Sequence, residues 1–249
     1  GSIKITSFSK QTNNQLKEVL LKAKQDKVQA FILDLRNNPG GLLDQSVKVA
    51  SHFLYQNRLV VYTQGRRATD KTEYRAKYKK SLHSIPIVIL INQNSASAAE
   101  IVAGALRDSG KALIIGENSY GKGTVQTIFR TSDGSGLRLT TSKYYTPSGT
   151  DITAHGITPE IHIINNYAKT NGLSMSKKSK VTSLKVNDNS LIEIEGTQIK
   201  NFVKKYYTAM TKTSDPTFQF AKILINNISV ANKKKTLEKA RELAANIHY

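Results

Sequence analysis

The stretch VILINQNSASAAEIVAGAL, residues 88–106, changes its period in the middle. Val88 to Ile91 closes an apolar run that begins at Ile87. A β-branched run of that length reads as a buried strand. From about Ala98 to Arg107 the apolar residues recur at helical spacing instead. Between the two lie Ser95, Ala96 and Ser97, all small. A strand that ends in a turn and opens a helix exposes the turn residue at the sheet edge. The first N–H groups of the helix then point at whatever that residue meets. Small neighbours let a peptide approach closely, which is what a nucleophile needs. A helix-capping serine is the plainer reading of the same residues.

Working outward, the chain alternates strands and helices. Residues 3–8 read as a strand, 13–27 as an amphipathic helix, and 28–35 (VQAFILDL) as a buried strand broken by Asn38-Pro39-Gly40-Gly41. Residues 43–54 read as a helix and 59–64 as a strand. The basic, polar residues 65–84 read as a loop. Residues 112–116 are a further strand, and 124–130 with 136–145 form a strand pair across Ser132-Asp133-Gly134. The expectation is an α/β fold with a largely parallel sheet over residues 1–166. After that the character changes. Residues 169–180 read as a polar basic linker, 181–194 as weakly strand-like, and 195–210 and 217–247 as helices. Residues 167–249 are therefore expected to be a smaller, mainly helical C-terminal region.

Composition bounds the function. A hydrophobic share of 39% over 249 residues supports a sizeable core. The lack of cysteine excludes thiol catalysis, disulfides and zinc–thiolate sites. The net charge of +19 fits nucleic acid, an anionic envelope surface, or a basic source proteome. The lysines are spread along the chain and no nucleic-acid motif is present, so nucleic acid is not the expected partner. No cofactor or metal is expected, since no histidine spacing suits a metal.

Two motif near-matches carry little. Residues 116–124 approach a phosphate-binding loop, but Gly123 stands where the magnesium-binding hydroxyl belongs, and a strand pattern follows. Ser174 and Lys177 make an S-x-x-K pattern within the lysine-rich linker, which reads as chance. A triad with His155 as base stays open in principle. Lys122 is the sharper signal. It lies between Gly121 and Gly123, where a solvated lysine needs no glycine. A lysine that reaches inward can lose its hydration and then its proton, and a neutral lysine can activate a serine.

Three segments then converge on one family: LDLRNNPGG (33–41), residues 88–127, and YYTPSGTDITAHGITPEI (144–161). They resemble the carboxyl-terminal processing, or tail-specific, serine proteases of peptidase family S41. The resemblance covers roughly residues 3–165. It implies a ClpP/crotonase-like spiral αβ core and a Ser-Lys dyad. Ser97 is implied as nucleophile, with Lys122 25 residues later as base and Gln126 orienting it. Residues four apart on a strand share a face, in keeping with that pairing. The backbone N–H groups of Gly41 and Ala98 are implied as the oxyanion hole, and Asp108 is read as structural. Ala99 departs from the family's third serine, at no expected chemical cost.

The expected partners are protein or peptide substrates cleaved near their C-termini. An anionic envelope surface, and a homo-oligomer formed through the C-terminal region, are further candidates. The family also implies a PDZ domain before the core and an extracytoplasmic location. No PDZ domain lies within these 249 residues, and the Gly1-Ser2 start is read as the mark of a removed upstream segment. A second reading stays open: a catalytically silent scaffold of the same fold with a basic docking region.

Overall fold

A computed structural model describes residues 1–79, 81–164, 192–195 and 215–227. The elements run β1 (Ser2–Lys4), α1 (Thr12–Gln25), β2 (Phe31–Asp34), α2 (Leu43–Ser51), β3 (Leu59–Gln64), β4 (Lys71–Arg75), β5 (Ile87–Ile91) and α3 (Ala98–Asp108). They continue with β6 (Ala112–Gly116), β7 (Thr124–Arg130), β8 (Gly136–Tyr145), α4 (Ile152–His155), β9 (Ile161–Ile164), β10 (Ile192–Glu195) and α5 (Pro216–Asn227). The fold is α/β, as the alternation predicts.

Six strands form one parallel sheet in the order β1-β2-β5-β6-β9-β10. Both faces of this sheet are covered, which is why its central strands read as unbroken apolar runs. Alternation splits β5 between two cores. Ile87, Ile89 and Ile91 join α1, α2 and α3 in the larger core, while Val88 and Leu90 face the other way. On that second face, Ile32, Leu113, Ile115, Ile161 and Ile163 meet Phe220, Ala221, Ile223 and Leu224 of α5. So part of the region beyond residue 167 covers the main sheet. Asp215 fastens its start: Arg36 Nη1 meets Asp215 Oδ2 at 2.6 Å, and Asp215 Oδ1 accepts the Phe218 N–H.

The sheet is not the whole β-structure. A second, antiparallel sheet has the order β4-β3-β8-β7. The expected loop at 65–84 contains its edge strand β4, whose sequence KTEYR is too charged to show an apolar period. Strand β9 and the short α4 also escape a reading by periodicity. The expectations for residues 169–191, 196–214 and 228–249, including Ser174 and Lys177, lie outside the described residues.

Because α5 buries Leu224 completely against the second face, Leu224→Ala is expected to cost about 2–5 kcal/mol of stability. Deleting residues 168–249 would lower the melting temperature further. Urea unfolding checks the first, and calorimetry the second. An unchanged midpoint for both would mean that α5 adds nothing to the core.

Candidate active site

The junction that opens the sequence reading is a tight elbow. Strand β5 ends at Ile91, α3 begins at Ala98, and Ser97 precedes that helix with φ 55° and ψ −112°. A positive φ on a non-glycine residue is strained and clusters at functional sites. Ser97 is half-buried. Ser95 has a different position. It is fully buried, and its Oγ donates to the Leu35 carbonyl at 2.9 Å and accepts the Asn92 N–H at 3.0 Å. It pins the end of β5 to the end of β2, which leaves Ser97 as the half-buried serine of the elbow.

The glycine loop after β2 lies against the same elbow. Asn38 is fully buried, donates from Nδ2 to the Ile5 carbonyl and accepts the Gly40 N–H at Oδ1. Its own carbonyl accepts the Ala96 N–H at 2.9 Å. A Cβ on Gly40 would stand 2.7 Å from Ser97 Cβ and 3.0 Å from the Ala98 nitrogen, so only glycine lets the loop approach this closely. Gly41, with φ 142°, bridges Phe8 on the other side. Among the described residues no hydrogen bond engages the N–H of Gly41 or of Ala98. Gly41 is exposed and Ala98 fully buried. A buried residue whose N–H has no partner, as at Ala98, is rare, and that donor together with the exposed Gly41 N–H suits a developing oxyanion.

Lys122 reaches this place through a residue that the sequence reading passed over. Glu100 lies in the first turn of α3 and is fully buried. Its Oε2 accepts the Ser97 N–H at 2.7 Å and the Lys122 N–H at 2.9 Å. Its Oε1 accepts the Ser119 hydroxyl at 2.5 Å and the Gly121 N–H at 2.7 Å. Burial pushes the Glu100 carboxyl upward, opposed by those four hydrogen bonds. One carboxylate oxygen therefore fastens the backbones of both candidate residues. Ser119 extends the clamp, since its Oγ also accepts the Ile157 N–H at 2.6 Å. The signal that could have found Glu100 is the helix-start spacing of Ser97 and Glu100, a capping-box pattern.

The side chains are less closely gathered. Lys122 and Gln126 are both exposed, so the inward-reaching lysine of the sequence reading is not found. Lys122 precedes β7 by two residues, so strand alternation does not extend to it and cannot by itself place Gln126 beside it. No helix follows Gly116-to-Thr124, as a phosphate loop would need. His155 is exposed at the end of α4, and no hydrogen bond joins it to Ser97. Asp108 holds the loop after β8, accepting the Ser148 N–H at 2.9 Å and the Arg107 Nε–H at 2.9 Å.

Replacing Glu100 with glutamine keeps the shape but puts an NH2 group against N–H donors. Glu100→Gln is expected to lose about 1–3 kcal/mol of stability and to slow reaction of Ser97 with a fluorophosphonate. Thermal melts and timed labelling read the two effects. Equal values for both proteins would remove the clamp.

Comparison with known proteins adds the following. The model of peptidase family S41 matches residues 1–163. A carboxy-terminal-processing protease of Bartonella bacilliformis is 47% identical over 165 residues, which are 65% of this chain and 38% of that protein. A probable CtpA-like serine protease of Staphylococcus aureus is 40% identical over 182 residues, 73% of this chain and 37% of the relative. Among solved structures, the photosystem II D1 C-terminal processing protease superposes with a TM-score of 0.61 at 34% identity. That match covers 65% of this chain and 42% of the other. The chain thus spans less than half the length of these relatives.

Proposed function

The chain belongs to peptidase family S41, and on that premise we propose that it is a serine endopeptidase of the carboxyl-terminal processing type. One observation carries the reading: Glu100 Oε2 accepts the backbone N–H groups of both Ser97 and Lys122. A strained serine and a lysine from a separate loop are thereby held at one carboxylate oxygen. In the proposed reaction, neutral Lys122 Nζ takes the Ser97 Oγ proton as the oxygen attacks the scissile carbonyl carbon. The N–H groups of Gly41 and Ala98 hold the resulting oxyanion, a kind of contact worth about 3–4 kcal/mol for one donor in another serine protease. The intermediate collapses, and the leaving amine takes the proton from Lys122. Water then attacks the Ser97 ester with Lys122 again accepting a proton, and the second intermediate collapses to release the carboxylic acid as that proton returns to Ser97 Oγ. Gln126 is assigned to orient the lysine.

The exposure of Lys122 has a place in this scheme. A lysine acts as a base only when neutral, and removal from water favours that form. A polypeptide lying over the site would strip further water from the Lys122 side chain, so bound substrate strengthens the base. Protein substrates cleaved near the C-terminus are the reading supported by the names of the relatives. A location outside the cytoplasm is proposed with it, in keeping with the lack of cysteine.

Covalent labelling by a fluorophosphonate, mapped to Ser97, separates an enzyme from a silent scaffold. Ser97→Ala should reduce cleavage of an unfolded protein such as casein by about 10⁴-fold or more, while Ser95→Ala keeps a functional nucleophile. Lys122→Arg retains charge but cannot give up its proton, so a loss of at least about 100-fold is expected. His155→Ala should leave turnover intact. Near-full activity of folded Lys122→Arg would remove the lysine from the base role, and loss in folded His155→Ala would restore the histidine triad.

A further inference from the structure

A groove of about 600 Å³ runs between α1 and the segment that leads from β4 to β5. That volume is in the range of small-ligand sites. One wall is a stripe of α1: Asn13, Lys17, Leu20, Leu21 and Lys24 recur at spacings of three and four residues and so share a side of the helix. The segment 77–82 makes the facing wall, and His52, just past α2, closes one part of it.

The polar wall is fixed before any ligand arrives. Asn13 Oδ1 accepts the Tyr78 hydroxyl at 3.0 Å and lies 3.0 Å from His52 Nε2. The His52 and Tyr78 rings are 4.7 Å apart. The Asn13 N–H donates to Gln45 Oε1 at 3.1 Å, which ties this wall to α2. Burial, helped by the charge of Lys17, holds His52 down at about 4, so it is neutral at pH 7. The charge of the groove therefore comes from lysines. Four of them, Lys17, Lys24, Lys77 and Lys79, rim it, and among the described residues that line it none is acidic. Lys77 Nζ meets Asp44 Oδ1 at 3.2 Å. Lys17, Lys24 and Lys79 are exposed and, among the described residues, meet no carboxylate. Between the charges lies an apolar floor. Leu20 is buried, Leu82 packs on the larger core, and Leu21 is 55% exposed.

We propose that this groove binds an anionic phospholipid at a membrane surface. The phosphate lies among Lys17, Lys24 and Lys79, and the start of the acyl region covers Leu20, Leu21 and Leu82. Unneutralised like charges call for an anion, and the floor between them calls for an apolar stem on that anion. The type of cation favours lipid over an acidic polypeptide. Lysines are point charges on apolar stems that reach up to headgroup level, whereas paired recognition of carboxylates is the work of arginine. The amides of α1 are also spent inside the helix, so an extended peptide would find no row of backbone partners there. No residue of the groove belongs to the candidate active site, so the membrane contact stands or falls apart from the peptidase reading.

Sedimentation of the full chain with lipid vesicles provides the test. Binding to mixed phosphatidylcholine and phosphatidylglycerol vesicles is expected, and none to phosphatidylcholine alone. Each lysine near an anionic surface contributes about fivefold, so Lys17→Gln combined with Lys24→Gln and Lys79→Gln should bind about 100-fold more weakly. A charge-matched control, Lys4→Gln with Arg130→Gln and Arg138→Gln, lies outside the groove and should lose less than about threefold, since salt screens distant charges. Leu21→Ala keeps the charge and should lose about fourfold or more, the worth of one buried methylene. All the substituted side chains are exposed, so the fold is kept. Equal losses in the two triple variants would mean attraction to the net charge of +19 alone and would overturn the proposal. Unchanged binding of Leu21→Ala would do the same. So would release of the vesicles by inorganic phosphate beyond that by chloride of equal ionic strength, which marks a site for a free anion. Finally, a fluorescein-labelled glutamate-rich peptide that binds the unaltered chain but not the lysine variant, where mixed vesicles bind neither, would give the groove to an acidic polypeptide instead.

Discussion

A single buried carboxylate organises the candidate site. Glu100 brings a charge into the interior, which costs free energy unless donors surround it. Four donors do, and they come from two segments of the chain: the elbow at Ser97, and the 117–123 loop, which gives the Ser119 hydroxyl and the N–H groups of Gly121 and Lys122. Neither segment has regular structure of its own. The elbow is too short for a ladder and the 117–123 loop lies between two different sheets. The cost of the buried charge therefore becomes a constraint on geometry. Any movement of either loop would leave a carboxylate oxygen short of a donor, so both are held in register with α3.

The sheets show why part of this architecture is legible from sequence. A parallel strand buried on both faces has to be apolar at every position, and β5 and β6 are (IVILI and ALIIG). Helix α3 is buried at every position from Ala98 to Leu106, so apart from Glu100 and Gly104 its first nine residues are apolar. Edge structure has no such requirement. Strand β4 is charged at every second position because it meets water, and its alternation reads as a loop. The site divides along the same line. Ser97 and Lys122 stand out as residue types with chemistry, and the family pattern links them. Glu100 is hidden because a glutamate in the first turn of a helix is ordinary, and its partners Ser119, Gly121 and Lys122 lie beyond α3 and β6 in a loop with no periodicity of its own. The close approach of the glycine loop to Ser97 is likewise made at Gly40, while Gly41 packs against the Phe8 backbone, and only the folded loop shows which glycine faces which neighbour.

The strain at Ser97 can be weighed against what holds it. A non-glycine residue at φ 55° costs on the order of 1–3 kcal/mol. The hydrogen bond from its N–H to an ionised carboxylate returns about 1.5–3 kcal/mol. The two nearly cancel, so the elbow persists without drawing heavily on the core. The same carboxylate that offsets the strain also sets the lysine backbone, which couples the serine's conformation to the lysine's position. The side chain of Lys122 is left out of this coupling, since only its N–H is held. The fold thus preorganises the backbone of the candidate site and leaves the side chain of Lys122 in water.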